Sequence, residues 1–459
     1  MCSYYKNNLI LEGFVICLVL GLVCVSGAEK VEYKAFECRK HSAVLTDFGG
    51  KGDGVTSNTA AFKAAIANLS KLASDGGAQL IVPPGKWLTG SFNLTSYFTL
   101  YIHKDAVLLA SQDESEYPLI DPLPSYGNAA GKRFAGLIFG TNLENVVVTG
   151  GNGTIDGQGE IWWKKFKSHK LKNTRPALIE IMNSTIVQIT NLTMINSPSS
   201  HVHPTYSNGV IIESLTIIAP TDSPNTVGIN PDSCEDTRIV RCYIVSGDDC
   251  VAVKSGLDQY GIKYDKPTES LAIRRLTCTS PNNAAIALGS EMSGGIQDVR
   301  ADGVHAVNCK AAVRIETAPG RGGYVKEVYF RNVTLDAVKY AFWLTASNGP
   351  HPDEGFDRKA LPEVKNITLM NVVGKNVSMV GNLAGIAGDP FIGICISNVT
   401  VEMAAEKKLP WNCSDVSGIS SGVSPKACDL LPEKREECFY PPIWQMMQID
   451  WIHFKTCST

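Results

Sequence analysis

Positive charge is not in surplus in this 459-residue chain: Lys and Arg total 42 against 45 Asp and Glu, a formal charge of −3. That excludes general nucleic-acid binding, which needs a basic surface to displace counterions. An acidic ligand must therefore be met by local positive charge. No Cys-x-x-Cys pair occurs and no His lies at ligand spacing, so neither a metal centre nor another cofactor is expected. A polar bias is also lacking, since 44% of residues are hydrophobic and 19% charged, and this excludes a disordered or fibrous chain. Missing too is an apolar run of the roughly 20 residues that a membrane span takes. The run from Phe14 to Val25 is shorter, and Glu12 interrupts its extension.

What is present starts with a secretion pattern. Lys6, the apolar run and the small residues Ser26-Gly27-Ala28 match a signal segment over residues 1–28, cleaved near Ala28. The mature part, 29–459, shows no linker and reads as one domain, expected as a monomer outside the membrane. It keeps Cys38, Cys234, Cys242, Cys250, Cys278, Cys309, Cys395, Cys413, Cys428, Cys438 and Cys457. In an oxidising compartment these are expected mostly as disulfides, with one buried thiol left over. Sequons at Asn68, Asn93, Asn152, Asn183, Asn191, Asn332, Asn366, Asn376, Asn398 and Asn412 fit secretion too.

From about residue 140 one short pattern returns: an apolar residue, two polar ones, another apolar residue and often Thr. It reads Ile189-Thr190-Asn191-Leu192-Thr193, Ile212-Glu213-Ser214-Leu215-Thr216 and Ile273-Arg274-Arg275-Leu276-Thr277. It returns at Phe330-Arg331-Asn332-Val333-Thr334, Leu369-Met370-Asn371-Val372 and Ile396-Ser397-Asn398-Val399-Thr400. Each copy is too short and too rich in Val, Ile and Thr for a helix. Unequal spacing with few hairpin turns argues for an all-β solenoid, a right-handed parallel β-helix, over a sandwich. Phe62, Ile66 and Leu69 share one helical face, so residues 58–72 are expected as a capping helix started by Ser57 or Asn58. The tail after Glu402 loses the repeat and is expected as a disulfide-stapled cover for the other end.

The sharpest chemical feature is Ser246-Gly247-Asp248-Asp249-Cys250, with Gly247 read as permitting a bend that turns both carboxylates to solvent. One coil earlier lies Asn225-Thr226-Val227-Gly228-Ile229-Asn230-Pro231-Asp232, and stacking is expected to bring Asp232 and Asp222 near the pair. An Asp pair capping a turn is the plain alternative. Lys and Arg residues around Trp162, Trp163 and Phe166 read as a solvated loop, with polyanion binding as the rival. His201 and His203 alternate on one face. Gly418-Ile419-Ser420-Ser421-Gly422 matches a serine-hydrolase elbow, but no strand–turn–helix context is expected there.

Several of these stretches together resemble the polygalacturonase family of glycoside hydrolases, in particular its plant branch. They are Asp53-Gly54-Val55, Ile155-Asp156-Gly157-Gln158-Gly159, Ser223-Pro224-Asn225-Thr226, Gly247-Asp248-Asp249-Cys250 and Gly289-Ser290-Glu291-Met292-Ser293-Gly294-Gly295. The resemblance implies a right-handed parallel β-helix and inverting hydrolysis of α-1,4-linked galacturonan (pectin), without a metal. It implies Asp248 as general acid and Asp249 as one of two base-side carboxylates. Asn225, Arg314, Lys254, Asp232 and His203 are assigned to substrate binding on the same ground, and Cys250 is expected bonded to Cys278. Attack from chain ends is the leaning.

Three positions depart from the family. Val227 stands where a second base-side Asp is expected, Ala284 where a His is, and Glu316 where a Lys would grip a galacturonate carboxylate beside Arg314. The Glu316 carboxylate is expected to repel that substrate group by about 1–4 kcal/mol. Three readings follow: slow hydrolysis by Asp248 and Asp249, with Asp232 or Asp222 assisting; pectin binding without cleavage; or altered specificity toward a neutral or partly esterified sugar.

Overall fold

The computed structural model describes residues 31–128, 131–347, 350–405, 409–442 and 454–458. The signal segment expected over 1–28 lies outside them.

Parallel strands stack coil on coil along the described chain. One series runs from Ala78–Val82 through Phe98–Ile102, Glu144–Gly150, Thr185–Ile195, Asn208–Ile218 and Glu235–Val240. It continues into the long strands Thr268–Leu288, Ile296–Glu316, Tyr324–Asp336, Glu363–Val377 and Phe391–Met403. This is the parallel β-helix, right-handed as parallel crossovers are. Its interior is a single column of buried Val, Ile, Leu and Phe.

The recurring sequence pattern has a local cause. The second polar residue of every copy adopts a left-handed backbone: Asn191, Ser214, Arg275, Asn332, Asn371 and Asn398 have φ between 50° and 56°. In a regular strand, residues three apart face opposite sides. The left-handed corner turns the chain so that both flanking apolar residues, such as Ile189 and Leu192, point inward. Asn tolerates that conformation better than most side chains. The corners also bond to one another: Asn398 Nδ2 donates to Asn371 Oδ1 at 2.8 Å, Asn371 to Asn332 at 3.3 Å, and Asn332 to Asp302 at 2.7 Å. All ten sequon asparagines are exposed.

Helix α1 (Thr59–Leu69) covers the first coil, burying Phe62, Ile66 and Leu69, with Phe62 stacked on Phe92 at 4.3 Å. Its start differs from expectation, because no side chain caps it. The Asn58 amide is drawn to the Lys51, Thr56 and Leu88 backbone instead, and Ser57 bonds Glu116.

The tail is also different. The repeat does not stop at Glu402, since Trp411–Ser414 and Val416–Ser424 add further parallel strands. Cys413–Cys428 and Cys395–Cys438 hold this region, as a stapled end should be held. The last described residues, however, run back to the beginning: Lys455–Ser458 pairs antiparallel with Glu32–Ala35, and Cys457 bonds Cys38. Cys250–Cys278 is formed. Three buried thiols are left over, Cys234, Cys242 and Cys309, where one was expected; burial raises all three to about 12. Ser420, the would-be elbow nucleophile, lies within Val416–Ser424 and donates to Leu431 O at 2.7 Å.

The Cys38–Cys457 bond closes almost the whole chain into a loop. Cys457→Ser is expected to cost about 2–4 kcal/mol of stability through the unfolded ensemble, read as a lower midpoint in denaturant.

Candidate active site

Short strands on one side of the solenoid form the floor of a groove. Ile179–Met182 pairs with Val202–Thr205. The next coil joins through Ile229, bridged to Val202 and Val251, and through Asp232, bridged to Thr205 and Lys254. Val251–Val253 then pairs into Ile286–Leu288, Val313–Ile315 and Phe342–Leu344. Residues far apart in sequence therefore stand about 4.8 Å apart in columns. Val227 stacks on Asp249, and Asp249 on Ala284 and Ala311. Glu180 stacks on His203, then Asn230.

Gly247 is required by close approach, not by a left-handed bend. A Cβ there would lie 2.1 Å from Ser223 O. The carboxylates after it diverge. Asp248 faces the groove, with Oδ1 accepting the Asp249 N–H at 2.8 Å. Asp249 is 5% exposed, and its two oxygens accept from Ala284 N and Arg314 Nη2, both at 2.8 Å. Burial pushes the Asp249 carboxyl up to about 7, with Arg314 pulling the other way and Asp248 adding to the rise.

The groove encloses about 530 Å³. Of the residues read from the sequence, Asp248, Lys254, Asp232, His203, Asn225 and Val227 line it. Arg314, Ala284 and Glu316 sit beside it with Asp249. Asp222 is exposed and does not line the groove; only its carbonyl is used, by Lys167. Glu316 lies 3.2 Å from Arg314 Nε, so one guanidinium is shared between Glu316 and Asp249. Burial opposes the Arg314 cation, but Asp249 and Glu316 hold its pKa above the usual value.

A second charged cluster forms the other part of the floor. His203 lies between Glu180, 3.5 Å away, and Asp232, 3.7 Å away. Burial works against its cation, yet these two carboxylates raise its pKa. Burial alone would lift the Glu180 carboxyl, but His203 and Arg133, which bonds it directly, bring it below the usual range. Tyr126 donates to Asp232 at 2.6 Å, and Lys254 pairs with Glu291 at 3.2 Å. His201 is sealed instead, with Nδ1 3.0 Å from Val227 O, and burial lowers its pKa to about 4.

Sequence reasoning passed over Glu180, Arg133 and Tyr126. Glu180, charged between Ile179 and Ile181, carried a readable signal of an outward position. The cationic stretch is only partly a solvated loop. After helix α2 (Glu160–Lys167), Leu171, Lys172 and Arg175 line the groove with Phe166. Arg175 covers the Phe166 ring at 4.0 Å. Trp162 is core, edge-on to Phe134 and Tyr117.

Residues 78–428 match the family described as glycosyl hydrolases family 28. A probable polygalacturonase of Vitis vinifera is 59% identical over 438 residues, spanning 94% of this chain and 89% of the relative. A probable polygalacturonase of Arabidopsis thaliana is 31% identical, spanning 73% and 68%. Among solved structures, an exopolygalacturonase from Thermotoga maritima superposes with a TM-score of 0.70 at 25% identity, covering 83% of this chain and 93% of that one.

Proposed function

The chain belongs to glycosyl hydrolases family 28, and from that premise we propose how its groove hydrolyses pectin. The protein is a glycoside hydrolase of polygalacturonase type acting on pectin. In the proposed mechanism Asp248, open to the groove, protonates the leaving glycosidic oxygen. Asp249 takes a proton from the attacking water on the opposite face, inverting the anomeric carbon. Arg314 holds Asp249 in place, and His203, Lys254, Asp232 and Asn225 seat the sugar. The protein works as a secreted monomer in the cell wall.

The observation that carries the reading is the division of one adjacent pair into an open carboxyl and a buried, cation-held one. Different environments set the two carboxyls apart, as acid and base roles require; which takes which role follows the family resemblance, since burial by itself favours the proton on Asp249. The family's other base-side carboxylate is replaced by Val227, so turnover is expected to be slow.

The test is reducing-end release from polygalacturonate across pH. Asp249 works as a base only when ionised, so kcat/KM rises with pH through a limb near 7, where its pKa lies. Glu316→Gln removes one raising charge and leaves Arg314 more fully to Asp249, so the limb moves to lower pH. Retention on pectin without product at any pH would replace the hydrolase by a pectin-binding protein.

A further inference from the structure

We propose that the surface formed by Lys310, Lys339, Tyr340 and Trp343 is a further sugar subsite. It takes a charged galacturonate unit on the other side of the catalytic pair from the enclosed groove. That the ligand is a galacturonan rests on the hydrolase reading above, while the charge argument stands on the surface itself. The enclosed groove covers the coils of Glu180, His203 and Asn230 and reaches Asp248. Beyond it the same floor continues: Ala284 pairs with Ala311 and Ala311 with Tyr340, while Ala287 pairs with Arg314 and Arg314 with Trp343. Lys310 and Lys339 stand just ahead of Ala311 and Tyr340, and the Lys339 N–H donates to Cys309 O at 3.0 Å, so the two lysines are neighbours on adjacent coils. The Arg314 guanidinium, which holds Asp249, lies 5.9 Å from the centre of the Trp343 ring.

These lysines differ from most cations of the site. Lys254 is paired with Glu291, Arg133 and His203 with Glu180, and Arg314 with Asp249 and Glu316. Lys310 and Lys339 are in no ion pair among the described residues. Each lies over a ring instead, with Lys310 Nζ 4.8 Å from the centre of Trp343 and Lys339 Nζ 5.1 Å from that of Tyr340. A ring face attracts an ammonium without neutralising it, and an ammonium has three donors. Their charge therefore stays available to a carboxylate. Past Trp343 the column continues in the amides of Asn382 and Asn412, and so brings no further acid to repel the ligand.

The rings supply the rest of the contact. Tyr340 and Trp343 are half-buried and pack on the buried Ala284, Ala287 and Ala311, which fix them from below. Their centres lie 5.1 Å apart with a tilt of 34° between the planes. Two adjoining rings on a rigid layer give a firm surface against which the C–H face of a sugar can be buried. On the groove side Lys172 and Arg175 are likewise in no ion pair among the described residues. Unpaired positive charge thus flanks Asp248 and Asp249 in both directions along the solenoid, where a polyuronate spanning the scissile bond would meet it.

Binding is measured in the Asp248→Asn protein on immobilised homogalacturonan, fully de-esterified or highly methyl-esterified and matched in chain length. Adding Lys310→Gln and Lys339→Gln together is expected to weaken Kd for the de-esterified polymer about fivefold, within the range for two exposed ion pairs. Affinity for the esterified polymer is expected to stay as it was, and the fivefold difference to fade in high salt. Trp343→Leu keeps an apolar group on the alanines but no flat ring, and is expected to weaken binding of both polymers. With Asp248 in place, the two lysine substitutions are expected to raise KM on polygalacturonate by the same factor with kcat kept, the mark of binding shared by ground and transition states. Unchanged affinity for the de-esterified polymer in the double-lysine variant, or an equal loss on both polymers, would overturn the proposal. A loss confined to the de-esterified polymer, with no product from the unaltered protein, would leave the subsite standing and remove the hydrolase reading.

Discussion

Asp248→Asn is expected to lower kcat on pectin by about 10²–10⁴-fold, the usual worth of a positioned general acid, with KM little changed. The carboxyl is fixed from below. Its backbone N–H donates to Ser246 Oγ at 3.1 Å, its carbonyl accepts from Ser280 Oγ at 2.7 Å, and Oδ1 accepts from the Asp249 amide. Oδ2 is the oxygen left for the groove, the one that must deliver a proton. Asn keeps the shape and the Oδ1 contact but cannot transfer that proton. A galacturonide with a good leaving group needs little protonation, so the variant is expected to recover most of its rate on such a substrate. An equal loss on both substrates would mean that residue 248 positions the sugar and is not the acid. Full activity on pectin would remove Asp248 from the mechanism.

The sequence announced this site better than it announced the molecule around it, for a physical reason. The solenoid was readable because each corner needs a residue that tolerates a left-handed backbone between two inward apolar ones. That rule leaves a mark in every copy, from Ile189-Thr190-Asn191-Leu192 to Ile396-Ser397-Asn398-Val399. The Asp248-Asp249 pair was readable because two carboxylates beside an apolar strand have few plain uses. The Arg133–Glu180 and Tyr126–Asp232 contacts were not readable. They join residues 47 and 106 positions apart, and coils of unequal length hide which residues share a column. That Glu316 shares the Arg314 guanidinium with Asp249, 65 positions from Arg314, was hidden for the same reason. The return of the tail to Cys38 left no local pattern, since a disulfide partner is chosen by three-dimensional proximity.

Val227→Asp is expected to raise kcat by about 10²-fold, toward the worth of general-base assistance. Val227 lines the groove on the coil next to Asp249, in the same column. Its side chain presents no acceptor, so the attacking water is oriented by Asp249 alone, whose oxygens are already held by Ala284 and Arg314. A carboxylate at 227 would add an oxygen able to fix that water. The new charge carries a cost. Residue 227 is 7% exposed, and burying a polar group with incomplete partners lowers stability by about 1–3 kcal/mol. A like charge beside Asp249 also disfavours its ionised form, so the acid limb of kcat/KM is expected to move to higher pH. Adding Glu316→Lys replaces a raising charge by a lowering one and brings the limb back down. Val227→Asn has similar shape and polarity but no charge, and is expected to give no comparable gain. If Val227→Asp shifts the limb upward while kcat stays where it was, the added carboxylate has reached Asp249 and position 227 does not limit turnover. The slow step would then lie in seating the sugar against the closed Asp249–Arg314–Glu316 cluster.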